Sequence, residues 1–99
     1  MVKRILPDKP ISFEWDAGNI LKNWEKHKVS NDECEQIFTN SPLRIFDDKD
    51  HSRIEKRFVA YGETNNGRQL AIFFTIRKLL IRVISARDQD KKERKIYEK

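Results

Sequence analysis

The chain is short of the residue types on which several common chemistries depend. One cysteine, Cys34, in 99 residues leaves no internal disulfide, so nothing calls for an oxidising compartment and the cytoplasm is the expected location. Two histidines, His27 and His51, beside that lone thiol give no clustered ligand spacing for a zinc site. Three glycines, Gly18, Gly62 and Gly67, stand too far apart to form a phosphate-cradling loop. The acidic run "DDKD" at 47–50 lacks the glycine and distal glutamate of a calcium loop and reads as a solvated turn. No apolar run approaches a membrane span or the apolar segment of a signal peptide, so a soluble protein without a membrane partner is expected. No metal and no cofactor are expected either.

What is present suits one small folded domain. Charged and apolar residues each make up 37% of the chain, and six Phe, two Trp and two Tyr are enough to build a modest core at this length. The net charge of +5 is unevenly spread: residues 1–50 hold 8 Lys and Arg against 10 Asp and Glu, and residues 51–99 hold 13 against 6. A basic half of this kind fits a polyanion, because cations that neutralise phosphates release counterions. It also fits a solvated face that binds nothing.

Hydrophobic periodicity divides the chain into two kinds of element. "ISFEWD" alternates Ile11, Phe13 and Trp15 with polar residues, which predicts a short strand. Asp16 can cap a helix in which Ile20, Leu21, Trp24 and His27 share one face, ending near Lys28. Ser30 and Glu33 have the spacing of a capping box, and Cys34, Ile37 and Phe38 form the apolar stripe of a second helix that closes before Pro42. Cys34 on that stripe is a core residue rather than a nucleophile.

The second half reads as strands: "LRIFD", then "EKRFVAYGE" with Phe58 and Ala60 facing one way, then "RQLAIFFTI" apolar on both faces and therefore central. "TNNG" supplies one turn and "RK" a tight turn into "LLIRVISAR". "DQDKKERKIYEK" forms a terminal helix over 88–99 with only Ile96 and Tyr97 as apolar contacts, expected to be mostly solvated and dependent on a partner for order. The sum is an α+β domain, an antiparallel sheet packed against two N-terminal helices.

The order of motifs resembles the BrnT family of bacterial toxins. The resemblance rests on "FEWD" (13–16), "NWEKHKVS" (23–30) leading into "ECEQIF" (33–38), "DHSRIEKRFVAYG" (50–62), "GRQL" (67–70), "IRVISAR" (81–87) and "KKERKIYE" (91–98). Residues 1–12 lie outside it as a variable arm, and Lys28 stands where the family often has Gly. The resemblance implies a RelE-like ribonuclease fold and neutralisation by a BrnA-type antitoxin. It also implies an RNA substrate, inhibited translation, and operator DNA bound only through the antitoxin.

Cleaving RNA without a metal uses the 2′-hydroxyl as nucleophile, so the protein must move two protons and stabilise charge on phosphorus. The resemblance marks Arg57, Arg82 and Arg87 as phosphate binders, a task suited to the planar guanidinium. Structural ion pairing with Glu55 or Glu63 is the alternative. In a regular strand Arg82 and Arg87 fall on opposite faces; they can share a site only if a bulge near Ser85 re-aims the chain or Arg87 lies past the strand end.

His27, flanked by Lys26 and Lys28, is either an acid–base candidate or a residue stabilising a helix end. Glu55 either acts as base or orients Arg57, and His51 reads as a loop residue. Lys26, Lys28 and Arg68 are RNA-binding candidates. Tyr61 either stacks on bases or packs in the core. A non-catalytic module binding nucleic acid or protein through the same basic sheet is the competing function.

Overall fold

A computed structural model describes residues 12–51 and 54–99; the arm expected over 1–12 falls almost wholly outside them. The elements are α1 (Lys22–His27), α2 (Asn31–Thr39), β1 (Arg44–Asp47), a 3-10 turn at Lys49–His51, β2 (Phe58–Glu63), β3 (Gln69–Arg77), β4 (Leu80–Asp88) and α3 (Lys91–Tyr97). The strands form one antiparallel sheet in the order β1-β2-β3-β4. This is the expected α+β architecture, with helices from both ends of the chain on the sheet.

The inner face of the sheet carries the main core. The Ser30 hydroxyl accepts from the Glu33 amide while the Glu33 carboxylate accepts from the Ser30 amide. This box starts α2 at the expected place and seats Cys34, Ile37 and Phe38 against Phe58, Ala60, Leu70, Ile72, Phe74 and Val83. Burial pushes the Cys34 thiol up to about 12, so it stays protonated among apolar neighbours. The helix lies so close to β2 that a Cβ on Gly62 would sit 2.9 Å from the Ile37 Cβ; here glycine makes room.

Two expectations are corrected. The strand over 11–16 shrinks to one parallel bridge between Phe13 and Ile81, because Asp16 turns the chain: its carboxylate accepts from the Gly18 amide and its carbonyl from Asn19 and Ile20. The next helix therefore starts at Lys22 without a side-chain cap, and its apolar face is turned outward: Ile20, Leu21 and Trp24 are exposed while Asn19 and Asn23 are buried. These asparagines, one turn apart, close the free edge of β4. Asn19 donates to the Val83 carbonyl at 3.0 Å and Asn23 accepts from the Ala86 amide at 2.9 Å, giving the edge strand partners it would otherwise find in another chain.

α3 is mostly exposed, as expected, and is anchored to the sheet through Tyr97. Its Asp90–Glu93 capping box starts the helix, and Tyr97, 2% exposed, packs on Val59, Tyr61 and Ala71 of the outer sheet face. The Tyr97 hydroxyl donates to the Pro42 carbonyl at 2.7 Å, and Arg44 donates to the carbonyls of Tyr97 and Lys99. The β3–β4 turn also lies one residue later than expected, at Lys78 and Leu79, both with positive φ.

Candidate active site on the arginine face

The register of β3 against β4 explains how the arginines meet. Phe73 pairs with Ser85 and Phe74 with Val83, so Ile84 is an extra residue in β4. This is a bulge beside Ser85, the first of the two arrangements that alternation left open, since β4 runs on to Asp88. Before it Ile81 and Val83 enter the core; after it Ala86 does. Arg82 and Arg87 consequently share the outer face, with Arg82 opposite Thr75 and the Arg87 guanidinium 5.3 Å from the Phe73 ring centroid. Arg57 and Arg77 lie on that face beside Arg82, and Arg44 on β1 lies under the end of α3.

α3 covers one half of this face and leaves the other open. In the covered half Glu93 takes Arg87 in a two-pronged pair at 2.7 and 2.9 Å. Tyr61, a stacking candidate, is buried there beside Phe46 at 5.5 Å between ring centroids and packs with Tyr97.

The open half is grooved by three adjoining clefts, all of which Arg57 lines. The largest, about 460 Å³, is formed by Asp50, His51, Ile54, Glu55 and Arg57. A second, about 200 Å³, holds Glu55, Arg57, Thr75, Arg77 and Arg82 with Lys22 at its rim. A third, about 210 Å³, has Phe73, Ile84 and Ser85 as floor and Asp48, His51 and Arg57 as walls.

Carboxylates set the arginines in place. Asp16 accepts from both terminal nitrogens of Arg82 at 2.8 and 3.1 Å, and Glu14 accepts at 3.3 Å. The Arg82 hydrogen bonds, joined by the Gly18 amide, hold the Asp16 carboxyl below the usual carboxylate range. Glu55 binds Arg77 at 2.7 and 3.0 Å, and this pair, with Arg57 and Arg82 nearby, likewise lowers its carboxyl. Glu55 is thus held by Arg77 in the wall of two of the clefts.

The other expected residues gather elsewhere. Arg68 donates to Asp88, Glu33 and the carbonyls of His27 and Lys28, so it ties the end of α1 to the end of β4 and is spent on structure. His27, Lys26 and Lys28 therefore sit near Asp88 rather than Arg82, and at about 3.3 Å per residue the two ends of the strand are roughly 20 Å apart. Lys28 caps α1 in the left-handed conformation at φ 55 and sits 5.3 Å over the Trp24 ring, which accounts for glycine being favoured there.

His51, which the sequence suggested was an ordinary loop residue, lines two of the three clefts. Its Nδ1 meets both Asp48 carboxylate oxygens at 3.1 Å, and the Asp48 amide donates to the Arg57 carbonyl at 2.9 Å. The sequence signal was the motif "DHS" followed by "EKR"; periodicity says nothing about where a loop histidine ends up. Among the described residues, no three His, Cys, Asp or Glu side chains stand close enough to share a metal ion, and no helix is long and apolar enough to cross a membrane.

An arginine-lined open groove on the outer face of a small antiparallel sheet has the chemistry to bind a polyanion and stabilise charge on phosphorus. No curated protein sequence matches the chain. The sequence profile of the ribonuclease toxin BrnT of type II toxin–antitoxin systems matches residues 15–93, a span that includes α1, α2, the whole sheet, His51 and the start of α3. The chain belongs to the BrnT family of ribonuclease toxins.

Proposed function

We propose that this toxin is a metal-independent endoribonuclease in which RNA crosses the open half of the sheet and its 2′-hydroxyl attacks the adjacent phosphate. The observation that carries the reading is Arg57, which lines all three clefts, with Arg77 and Arg82 in the same groove. Guanidinium groups oriented by Asp16 and Glu55 meet developing phosphorane charge without having to reorganise. Glu55 is the general base of this reading, and Arg57 and Arg82 bind the phosphate. Arg87, paired to Glu93, lies at the edge of the groove beside α3.

On this reading the cell stops translating as RNA is cut, and a BrnA-type antitoxin neutralises the toxin in the cytoplasm and alone contacts operator DNA. Lys26 and Lys28 extend the basic surface beyond the groove. The test combines induced expression with assay of the purified chain in excess chelator. Growth arrest and RNA fragments ending in a 2′,3′-cyclic phosphate are expected, both lost in Arg57→Ala and Arg82→Ala variants whose circular dichroism is unchanged. Folded variants that still bind RNA, beside a wild-type chain that binds but never cleaves, would establish a binding module instead.

A further inference from the structure

The ribonuclease reading leaves one proton unassigned. Breaking the P–O5′ bond releases an alkoxide, a poor leaving group unless it is protonated as it departs. The arginines keep their protons in this pH range, and Glu55 is already occupied as base. Besides Lys22 at the rim of the second cleft, the remaining titratable groups described in the clefts are His51, Asp48 and Asp50.

We propose that His51, held by Asp48, donates the proton to the leaving 5′-oxygen, on the opposite side of Arg57's phosphate from Glu55. This rests on the ribonuclease reading and deepens it. His51 and Glu55 line the same cleft as Arg57. The Asp48 carboxylate contacts Nδ1, which fixes one ring nitrogen as a donor and leaves Nε2 to exchange a proton with substrate. The groups facing the imidazole are Asp48 and Asp50 from its own turn, and Glu55 and Arg57 from the segment leading into β2, while β3 and β4 offer the uncharged Phe73, Ile84 and Ser85.

The step balances within these residues. The O2′–P bond forms as the P–O5′ bond breaks; the 2′-hydroxyl proton passes to Glu55 and the His51 proton to O5′. The products are a 2′,3′-cyclic phosphate and a 5′-hydroxyl, and exchange with water returns both side chains to their starting states.

The experiment compares two substrates in wild type and in His51→Ala and His51→Gln: a short RNA, and the same RNA with sulfur bridging at the scissile 5′ position, whose thiolate departs without a proton. On ordinary RNA both variants should lose about 10²–10⁴-fold in kcat with KM little changed, and the alkaline fall of the pH profile should disappear. On the sulfur substrate the loss should shrink to a few-fold, and added imidazole should partly restore His51→Ala on ordinary RNA. Equal loss on both substrates, or none on either, would overturn the assignment while leaving the ribonuclease reading standing. A wild-type chain that cleaves neither substrate would remove both.

Discussion

Arg82 and Arg87 stand on one face of β4 although five residues separate them, because Ile84 is inserted between the pairs Phe74–Val83 and Phe73–Ser85. Were Ile84 paired in regular register instead, the side-chain period of two would drive Arg87 to the face where Ile81, Val83 and Ala86 are buried. Deleting Ile84 should therefore leave a folded domain, since Val83, Ser85, Ala86 and Arg87 would then alternate without a bulge in the facings they already have. Ile84→Ala, which keeps the extra residue, should fold with a cooperative thermal transition. A deletion variant that fails to fold would show that Ile84 is not simply an extra residue between two correctly faced halves of the strand.

The buried asparagines make an opposite pair of expectations on α1. Asn23→Ala leaves the Ala86 amide without its acceptor at a position 1% exposed, and should cost about 1–3 kcal/mol. Trp24→Ala removes a side chain that is 52% exposed and should cost well under half as much, despite the larger truncation. Urea denaturation of the two variants decides it, and a Trp24 variant less stable than the Asn23 variant would contradict the outward-facing apolar surface.

The β3–β4 turn is a third site where a small change should register. Lys78 and Leu79 have φ of 50 and 67, the left-handed values of a two-residue hairpin turn that asparagine and glycine adopt at least cost. Leu79 is also 75% exposed, so little packing is lost by replacing it. Lys78→Asn with Leu79→Gly should stabilise the protein by about 1 kcal/mol. For a chain of this size that raises Tm by roughly 4–8 °C, and an unchanged or lower Tm in calorimetry would refute it.

Local rules were legible where local chemistry decides the outcome. The Ser30–Glu33 box, the stripe of Cys34, Ile37 and Phe38, and the opposed faces of β2 and β3 all follow from spacing. That Arg82 and Arg87 could share a face only through a bulge or an early strand end was legible too, and the register shows the bulge. What escaped was set by distant partners. Asn19 and Asn23 are buried because β4 has an open edge 64 and 63 residues away in sequence, and α1 looked amphipathic in the wrong sense without it. α3 docks through Tyr97 into a pocket made by β2, β3 and Pro42, which its own composition does not disclose. His51 reaches the groove by way of the turn after β1.

Acid should destabilise the fold in a defined window. The Arg68 hydrogen bonds hold the Asp88 carboxyl below its usual value of 3.8, and similar pairing with Arg82 and Arg77 lowers Asp16 and Glu55. A carboxyl whose folded pKa lies below its unfolded one binds its proton less readily in the native state. Its stabilisation is complete above the unfolded value and disappears as pH falls through the folded one. Stability should therefore be flat near neutrality and decline below about pH 4. For Asp88, whose side chain is 62% exposed, solvent screening limits the share to a few tenths to about 1 kcal/mol. Asp88→Asn should lower Tm at pH 7 and soften the decline between pH 4 and 2.5, because one proton-linked group has gone. If the variant and wild type fall in parallel over that range, the Arg68–Asp88 tie between α1 and β4 contributes nothing to acid sensitivity.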